Sequence, residues 1–277
     1  MERKIKSKIT GYRTVDGAGV SLVRVLGNKT VSEFDPILML DSFDSEDPKD
    51  YIAGFPDHPH RGIETISYVY EGSMTHKDSL GNEDTINSGE VQWMTAGSGI
   101  IHAESLPASK RLLGVQLWLN LPEKDKMCDP EYLAIKNENI KEIEIPAGKL
   151  RLLAGTYLEH KGYQSKYLPL DYYDIHLKSG EIKIDTAEES SIMLFTLLGE
   201  IMVGGEKIEE KTAVKITSGN YVKIEAEGEA QVLFVSSKKL DEPVFWGGPI
   251  VMSSREDLYQ AYIDLETGQF LKKKIDY

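Results

Sequence analysis

Three of the chain's six histidines fall in two short phrases, His58-Pro59-His60 and His102-Ala103-Glu104. Each phrase sets two metal-binding side chains one residue apart. On an extended strand, residues i and i+2 point to the same face, so each phrase can aim two donors at one point. Three imidazoles and a carboxylate suit a first-row transition metal and leave positions open for water, oxygen or substrate. A divalent ion held this way can carry a substrate oxygen as an anion. Glu64, four residues after His60, shares its face if the strand runs on regularly. It is therefore either an alternative carboxylate ligand or a residue that orients an imidazole from behind.

A single His-x-His pair in a β protein is more often a surface pair than a site, and the second pair is what lends this one weight. Competing readings of the region are poorer. Gly97-Ser98-Gly99 lacks the third glycine and the βαβ setting of a dinucleotide loop. Ser98 and His102 with an acid would make a hydrolase triad, but no nucleophile elbow is present. The better reading is a tight bend that delivers His102. Among the remaining histidines, His76 closes a strand and is read as a surface residue or a neighbour of the site. His160 lies in a polar loop, and His176 reads as a satisfied core histidine. Cys128 has no basic or histidine neighbour close in sequence to activate it.

The elements that must position these phrases are strands. Runs rich in β-branched and aromatic residues recur at Val20–Val25, Glu64–Tyr70, Ser73–Lys77, Leu112–Leu119, Leu150–Leu153, Tyr172–Leu177, Ile192–Leu198, Ala213–Ile216, Tyr221–Ile224 and Gln231–Val235. Turn residues separate them, the pattern of an all-β sandwich or barrel. In a barrel, strands distant in sequence become neighbours, so the two phrases can converge. The halves echo one another: Tyr68 to Met74 resembles Phe195 to Ile201, and Asn87-Ser88-Gly89 resembles Thr217-Ser218-Gly219. Two copies of one barrel are expected, over residues 1–135 and 136–277, with a polar connector at 136–144. One helix is expected near the C-terminus, with Ser253 as N-cap, Glu256 three residues on, Leu258, Tyr262 and Leu265 at helical spacing, and Gly268 as its stop.

A 277-residue chain with 40% hydrophobic and 28% charged residues is expected to be a soluble globular protein. The net charge of −13 disfavours direct nucleic-acid binding, and the short basic runs Lys238-Lys239 and Lys272-Lys273-Lys274 read as solvated surface. One cysteine excludes an intrachain disulfide framework. The charged N-terminus has no apolar stretch behind it, and no segment is apolar enough to span a bilayer. A cytoplasmic location with no membrane association is expected.

Two longer runs, 55–65 and 89–104, carry a resemblance to the pirin family, a branch of the cupin superfamily. The first contains His58-Pro59-His60-Arg61-Gly62 and the second Gly97-Ser98-Gly99 through Glu104. The likeness extends to 114–121 and to 242–252. It implies a bicupin: two β-barrel (double-stranded β-helix) domains facing each other, with one metal, usually iron, in the N-terminal barrel. The family's ligands map onto His58, His60, His102 and Glu104, which leaves Glu64 behind the ligands and the C-terminal barrel without metal. Mn, Ni, Co or Cu are alternatives to Fe(II). The resemblance implies a quercetin 2,3-dioxygenase-like enzyme that opens flavonols with O2 and releases CO, with Glu104 as general base. The alternative it implies is an iron-dependent, redox-responsive regulator acting through a protein partner. A monomer is expected.

Overall fold

The protein, described here for residues 1–273 in a computed structural model, is built almost wholly from strands. All ten segments expected as strands lie within strands. By contacts the chain divides into two units, each a cupin-type barrel made of a seven-stranded and a four-stranded sheet.

In the first barrel the seven-stranded sheet runs, in spatial order, Glu131–Ile135, Glu90–Thr95, Ile63–Glu71, Leu112–Asn120, Ile37–Ser45, Val20–Leu26 and Tyr12–Asp16. The four-stranded sheet runs Phe55–His60, Ile100–Ser105, Ser73–Asp78 and Glu83–Asn87. The second barrel repeats the plan. Its large sheet runs Ile5–Thr10, Thr212–Ile216, Ser191–Leu198, Ala230–Ser237, Leu170–Leu177, Gly148–Ala154 and Lys141–Ile145. Its small sheet runs Gly180–Asp185, Tyr221–Ala226, Ile201–Val203 and Glu206–Ile208. The internal echo has a structural cause. Gly72 and Gly199 are the corners where the chain leaves the large sheet for the small one, and both hold positive φ.

The division differs from the contiguous split into 1–135 and 136–277. The break near the connector falls between Lys136 and Asn137, but Met1–Tyr12 and Val25–Pro36 belong with the second unit, and the chain from Leu240 onward belongs with the first. The two terminal exchanges have local reasons. Ile5–Thr10 pairs along Thr212–Ile216 and covers the edge of the second barrel's large sheet. The last segment packs Ile250, Met252, Ala261 and Phe270 into a cluster of their own, with Leu258 and Leu265 against it.

The helix is present at Arg255–Glu266, but its N-cap is Ser254, whose hydroxyl accepts from Asp257 N–H at 3.0 Å. Both serines sit three residues before an acid, and Ser253 is the one buried. Tyr262, placed on the apolar stripe by its spacing, is exposed. Lys272 and Lys273 are exposed, as expected of a solvated basic run, and Lys272 also reaches Asp264 at 2.7 Å; Lys274 lies outside the described residues.

The two interiors differ in kind. The second barrel is filled by aliphatic and aromatic side chains, among them Leu150, Tyr173, Ile175, Ile192, Leu194, Val214, Val232 and Phe234. In the first, cross-strand register puts Asp41, Ser67, Gln92 and Gln116 on one face of the large sheet, and Met39, Thr65, Met94 and Trp118 beside them. Polar groups are buried at a cost unless they have partners, and Asp41 and Gln116 have them: Asp41 accepts from Arg24, and Gln116 donates to Ser67.

Candidate metal centre

Three neighbouring strands of the first barrel's small sheet each present an i, i+2 pair. Phe55–His60 brings His58 and His60, Ile100–Ser105 brings His102 and Glu104, and Ser73–Asp78 brings His76 and Asp78. His102 is paired directly with His58 on one side and with Asp78 on the other, and Glu104 with His76. The bend from Gly97 to Gly99 feeds the middle strand into place, as its composition suggested.

The imidazoles of His58, His60 and His102 converge, with ligand atoms all within 4.8 Å of one another. Ring centroids are 4.3 Å apart for His58 and His102, 4.8 Å for His58 and His60, and 5.1 Å for His60 and His102. His60 and His102 are buried, and His58 is half-buried, so the cluster meets solvent on the His58 side.

The hydrogen bonds identify the donor atoms of the cluster. His58 Nδ1 lies 2.8 Å from the Pro56 carbonyl and His60 Nδ1 lies 3.0 Å from the Pro249 carbonyl. A carbonyl only accepts, so both Nδ1 atoms carry the proton and both Nε2 atoms are bare in the neutral rings. Yet these two Nε2 atoms face each other at 3.1 Å. Two lone pairs at that distance repel unless a cation sits between or beside them. His102 Nε2 is buried and has no hydrogen-bond partner. The donor set thus fits a metal ion bound by three imidazole Nε2 atoms.

Glu104 is not part of this cluster. It is buried, and its carboxylate accepts from Gln92 Nε2 at 2.7 Å and from Gln116 Nε2 at 2.9 Å. Both glutamines come from the facing sheet. Their only signal in the sequence is a polar residue inside an apolar run, Val91-Gln92-Trp93 and Val115-Gln116-Leu117.

Glu64 does not stand where the strand count put it. The strand carrying His60 stops, and Gly62 turns the chain at φ +79° before the next strand begins at Ile63. A Cβ at Gly62 would lie 2.0 Å from the Val251 carbonyl oxygen, so only glycine fits that turn. The turn breaks the i, i+4 parity between His60 and Glu64. Register pairs Glu64 with Thr95 and Leu119, on the face opposite Gln92 and Gln116, and Thr95 Oγ1 donates to it at 2.7 Å.

His76 is likewise displaced from one of its expected places. It is fully buried rather than on the surface, and its Nδ1 lies 3.3 Å from His102 Nδ1. His176 is satisfied as expected, bonded to Asp174 at 2.8 Å, but is half-buried rather than in the core.

Two aromatic rings flank the imidazoles. Trp118 meets His60 edge-on at 5.0 Å, and its buried indole N–H has no partner. Phe55 lies 6.5 Å from His58. Trp246 stands beyond Trp118 at 5.7 Å.

Burial lowers the pKa of His60 to about 3, helped by the neighbouring His58 and opposed by the Pro249 carbonyl. Burial, and then the charges of His60, His58 and His76, hold His102 well below the ordinary range. Both rings are therefore neutral in the folded, metal-free protein, while unfolded histidine takes up a proton near pH 6.5. Below that value the unfolded state binds more protons, so stability falls with pH. For His60, metal-free protein is expected to lose about 1.4 kcal/mol per pH unit between roughly pH 6.5 and pH 3, and His102 adds to the loss in the same direction. Urea denaturation across that window measures the slope.

The comparisons agree with this architecture. The Pirin family model matches residues 19–119, and the Pirin C-terminal cupin domain model matches 172–271. A pirin-like protein of Caulobacter vibrioides is 38% identical over 97% of this chain and 99% of its own length. The chain belongs to the pirin family. Another relative, from Pseudomonas aeruginosa, carries the provisional name quercetin 2,3-dioxygenase and is 39% identical over 94% of this chain and 95% of its own. A crystal structure of quercetin 2,3-dioxygenase from Acinetobacter baumannii superposes with a TM-score of 0.90, at 30% identity, over 98% of this chain and 99% of that one. The fold is also that of a bacterial pirin from Escherichia coli solved with nickel(II), at TM-score 0.67 and 21% identity, over 84% of this chain and 98% of that one. For a pirin-family chain, an imidazole cluster in the first barrel and an apolar second barrel make one bound metal the arrangement its residues accommodate. Among the described residues no helix is long and apolar enough to cross a membrane.

Proposed function

We propose that this chain is a metal-dependent dioxygenase that opens a flavonol of the quercetin type with O2 and releases CO. The observation that carries the reading is the convergence of three imidazoles beside a separate, buried carboxylate. His58, His60 and His102 would hold one divalent transition metal, with Glu104 next along the strand as the fourth group. Fe(II) is the first choice, and Mn, Ni, Co or Cu suit the same donors. Bound there, the metal would supply Lewis acidity toward a substrate oxygen and the redox capacity that reaction with O2 requires.

The chain's own residues do the rest. Trp118 and Phe55 offer flat apolar walls to a polycyclic aromatic substrate, which enters from the half-buried His58 side. Glu104, presented as an acceptor by two glutamine amides, takes the proton of the substrate hydroxyl as general base. Both atoms of O2 enter the ring-opened product and one ring carbon leaves as CO, so no external reductant is required. The names of the Pseudomonas and Acinetobacter proteins support this substrate class.

The test is oxygen uptake with quercetin, coupled to CO release, by protein reconstituted anaerobically with each metal. Turnover is expected with at least one metal and is expected to vanish in a folded His58→Ala variant. Stoichiometric metal binding with no oxygen uptake would refute the enzymatic reading and turn attention to a redox-responsive regulator with a protein partner.

A further inference from the structure

The pair His76 and Asp78 takes no part in the reaction proposed above, yet both side chains are completely buried and stand directly behind His102. Asp78 Oδ1 accepts from the backbone N–H groups of Leu80 and Asn82, at 2.8 and 3.1 Å. Its Oδ2 accepts from Asn82 Nδ2 at 2.9 Å and faces His76 Nε2 at 2.8 Å. A carboxylate surrounded by donors has nothing to give, so His76 Nε2 must carry the proton. The Nδ1 of a neutral His76 is then a bare acceptor, and it faces His102 Nδ1 at 3.3 Å. The proton of His102 must therefore lie on Nδ1, which leaves its Nε2 bare toward His58 and His60. The reverse arrangement would place an N–H on His102 Nε2, a buried atom with no hydrogen-bond partner. Tyr132 stacks flat on His76, at 4.1 Å between centroids and 10° between planes, and fixes the ring so that the sequence of donors cannot rotate away.

We propose that His76 and Asp78 are positioning residues that lock His102 in its metal-binding tautomer, through a one-way series of hydrogen bonds from His102 to His76 to Asp78. The function of the lock rests on the metal-centre reading, but the tautomer itself does not.

Asp78→Asn tests the direction of the series. Its amide oxygen keeps the two backbone donors, its NH2 group then faces His76 Nε2 as a donor, and the Asn82 amide turns its oxygen toward that NH2. The series must reverse, moving the His102 proton to Nε2 and closing that atom to metal. The result expected in metal-free, histidine-labelled protein is a bare Nε2 on His102 in the parent and a protonated Nε2 in Asp78→Asn, read from 15N NMR shifts. Calorimetry with Ni(II) is expected to show affinity lowered by roughly 10–100-fold, as for other residues that orient a ligand. His76→Gln keeps an acceptor toward His102 and a donor toward Asp78, and is expected to bind Ni(II) within about threefold of the parent; His76→Leu keeps neither and is expected to lose affinity like Asp78→Asn. This second pair decides the matter if Asp78→Asn fails to fold. The proposal is overturned if His102 keeps its tautomer in Asp78→Asn, or if His76→Gln and His76→Leu bind alike. A parent protein that shows the expected tautomer but binds no metal would instead overturn the metal-centre reading.

Discussion

His60→Ala is expected to lower metal affinity by roughly 100-fold or more and to reduce quercetin turnover to background. If the proposed site binds a divalent ion with about 10–16 kcal/mol through three imidazoles and Glu104, each group would contribute about 3 kcal/mol, or two decades in affinity. His60 is the proposed ligand with least freedom to be replaced. It is buried, its Nδ1 is bonded to the Pro249 carbonyl, and Trp118 closes its outer edge. Water cannot easily take its place with three or four good partners. The same substitution removes the buried ring whose pKa is lowered to about 3, so the acid destabilisation of the metal-free protein should become shallower by about one proton. The two effects are measured separately, by calorimetry with Ni(II) or Fe(II) and by urea denaturation between about pH 6.5 and pH 3. Full metal occupancy in the variant would remove His60 from the site.

Asp264→Ala is expected to cost about 3–5 kcal/mol of stability, because it strands a buried guanidinium. Arg61 follows His60 directly in the chain and is almost completely buried. It donates to Asp264 Oδ2 at 2.8 Å, to the Ser98 carbonyl at 2.7 Å and to the Phe270 carbonyl at 2.7 Å, and it lies 4.3 Å from the Phe270 ring centroid. Removing the carboxylate leaves that charge with carbonyl acceptors alone. Arg61 ties the turn after His60 to the bend before His102, so loosening it should also weaken metal binding, by less than loss of a ligand. Chemical denaturation gives the first effect and calorimetry the second. A stability loss under about 1 kcal/mol would mean that Asp264 is not needed to neutralise Arg61.

Much of this architecture was readable in the residues. Strand segments announced themselves because alternation and β-branched composition are local properties, and all ten lie in strands. The corner glycines Gly72 and Gly199 were visible for the same reason, since a positive φ restricts residue type at one position. The helix was legible but not its cap, because Ser253 and Ser254 both fit the local pattern and burial chose between them.

The site divides along the same line. Residue type and two-residue spacing alone determined which histidines could share a face, and His58, His60 and His102 do converge. His76-Lys77-Asp78 has the same spacing but carries no signal of its own, because an i, i+2 pair says nothing about which strand lies beside it. Only the pairing of three strands brought His76 behind His102 and set Gln92 and Gln116 against Glu104. Only the turn at Gly62 sent Glu64 to the other face, since one residue outside the extended conformation reverses every later side chain. The exchange of terminal segments between the barrels was likewise decided by pairing and packing across long sequence separations. The sequence by itself determined the donor types and the strand faces that could present them; the tertiary structure decided which faces meet, because register and burial arise from contacts between segments and are properties of no single segment.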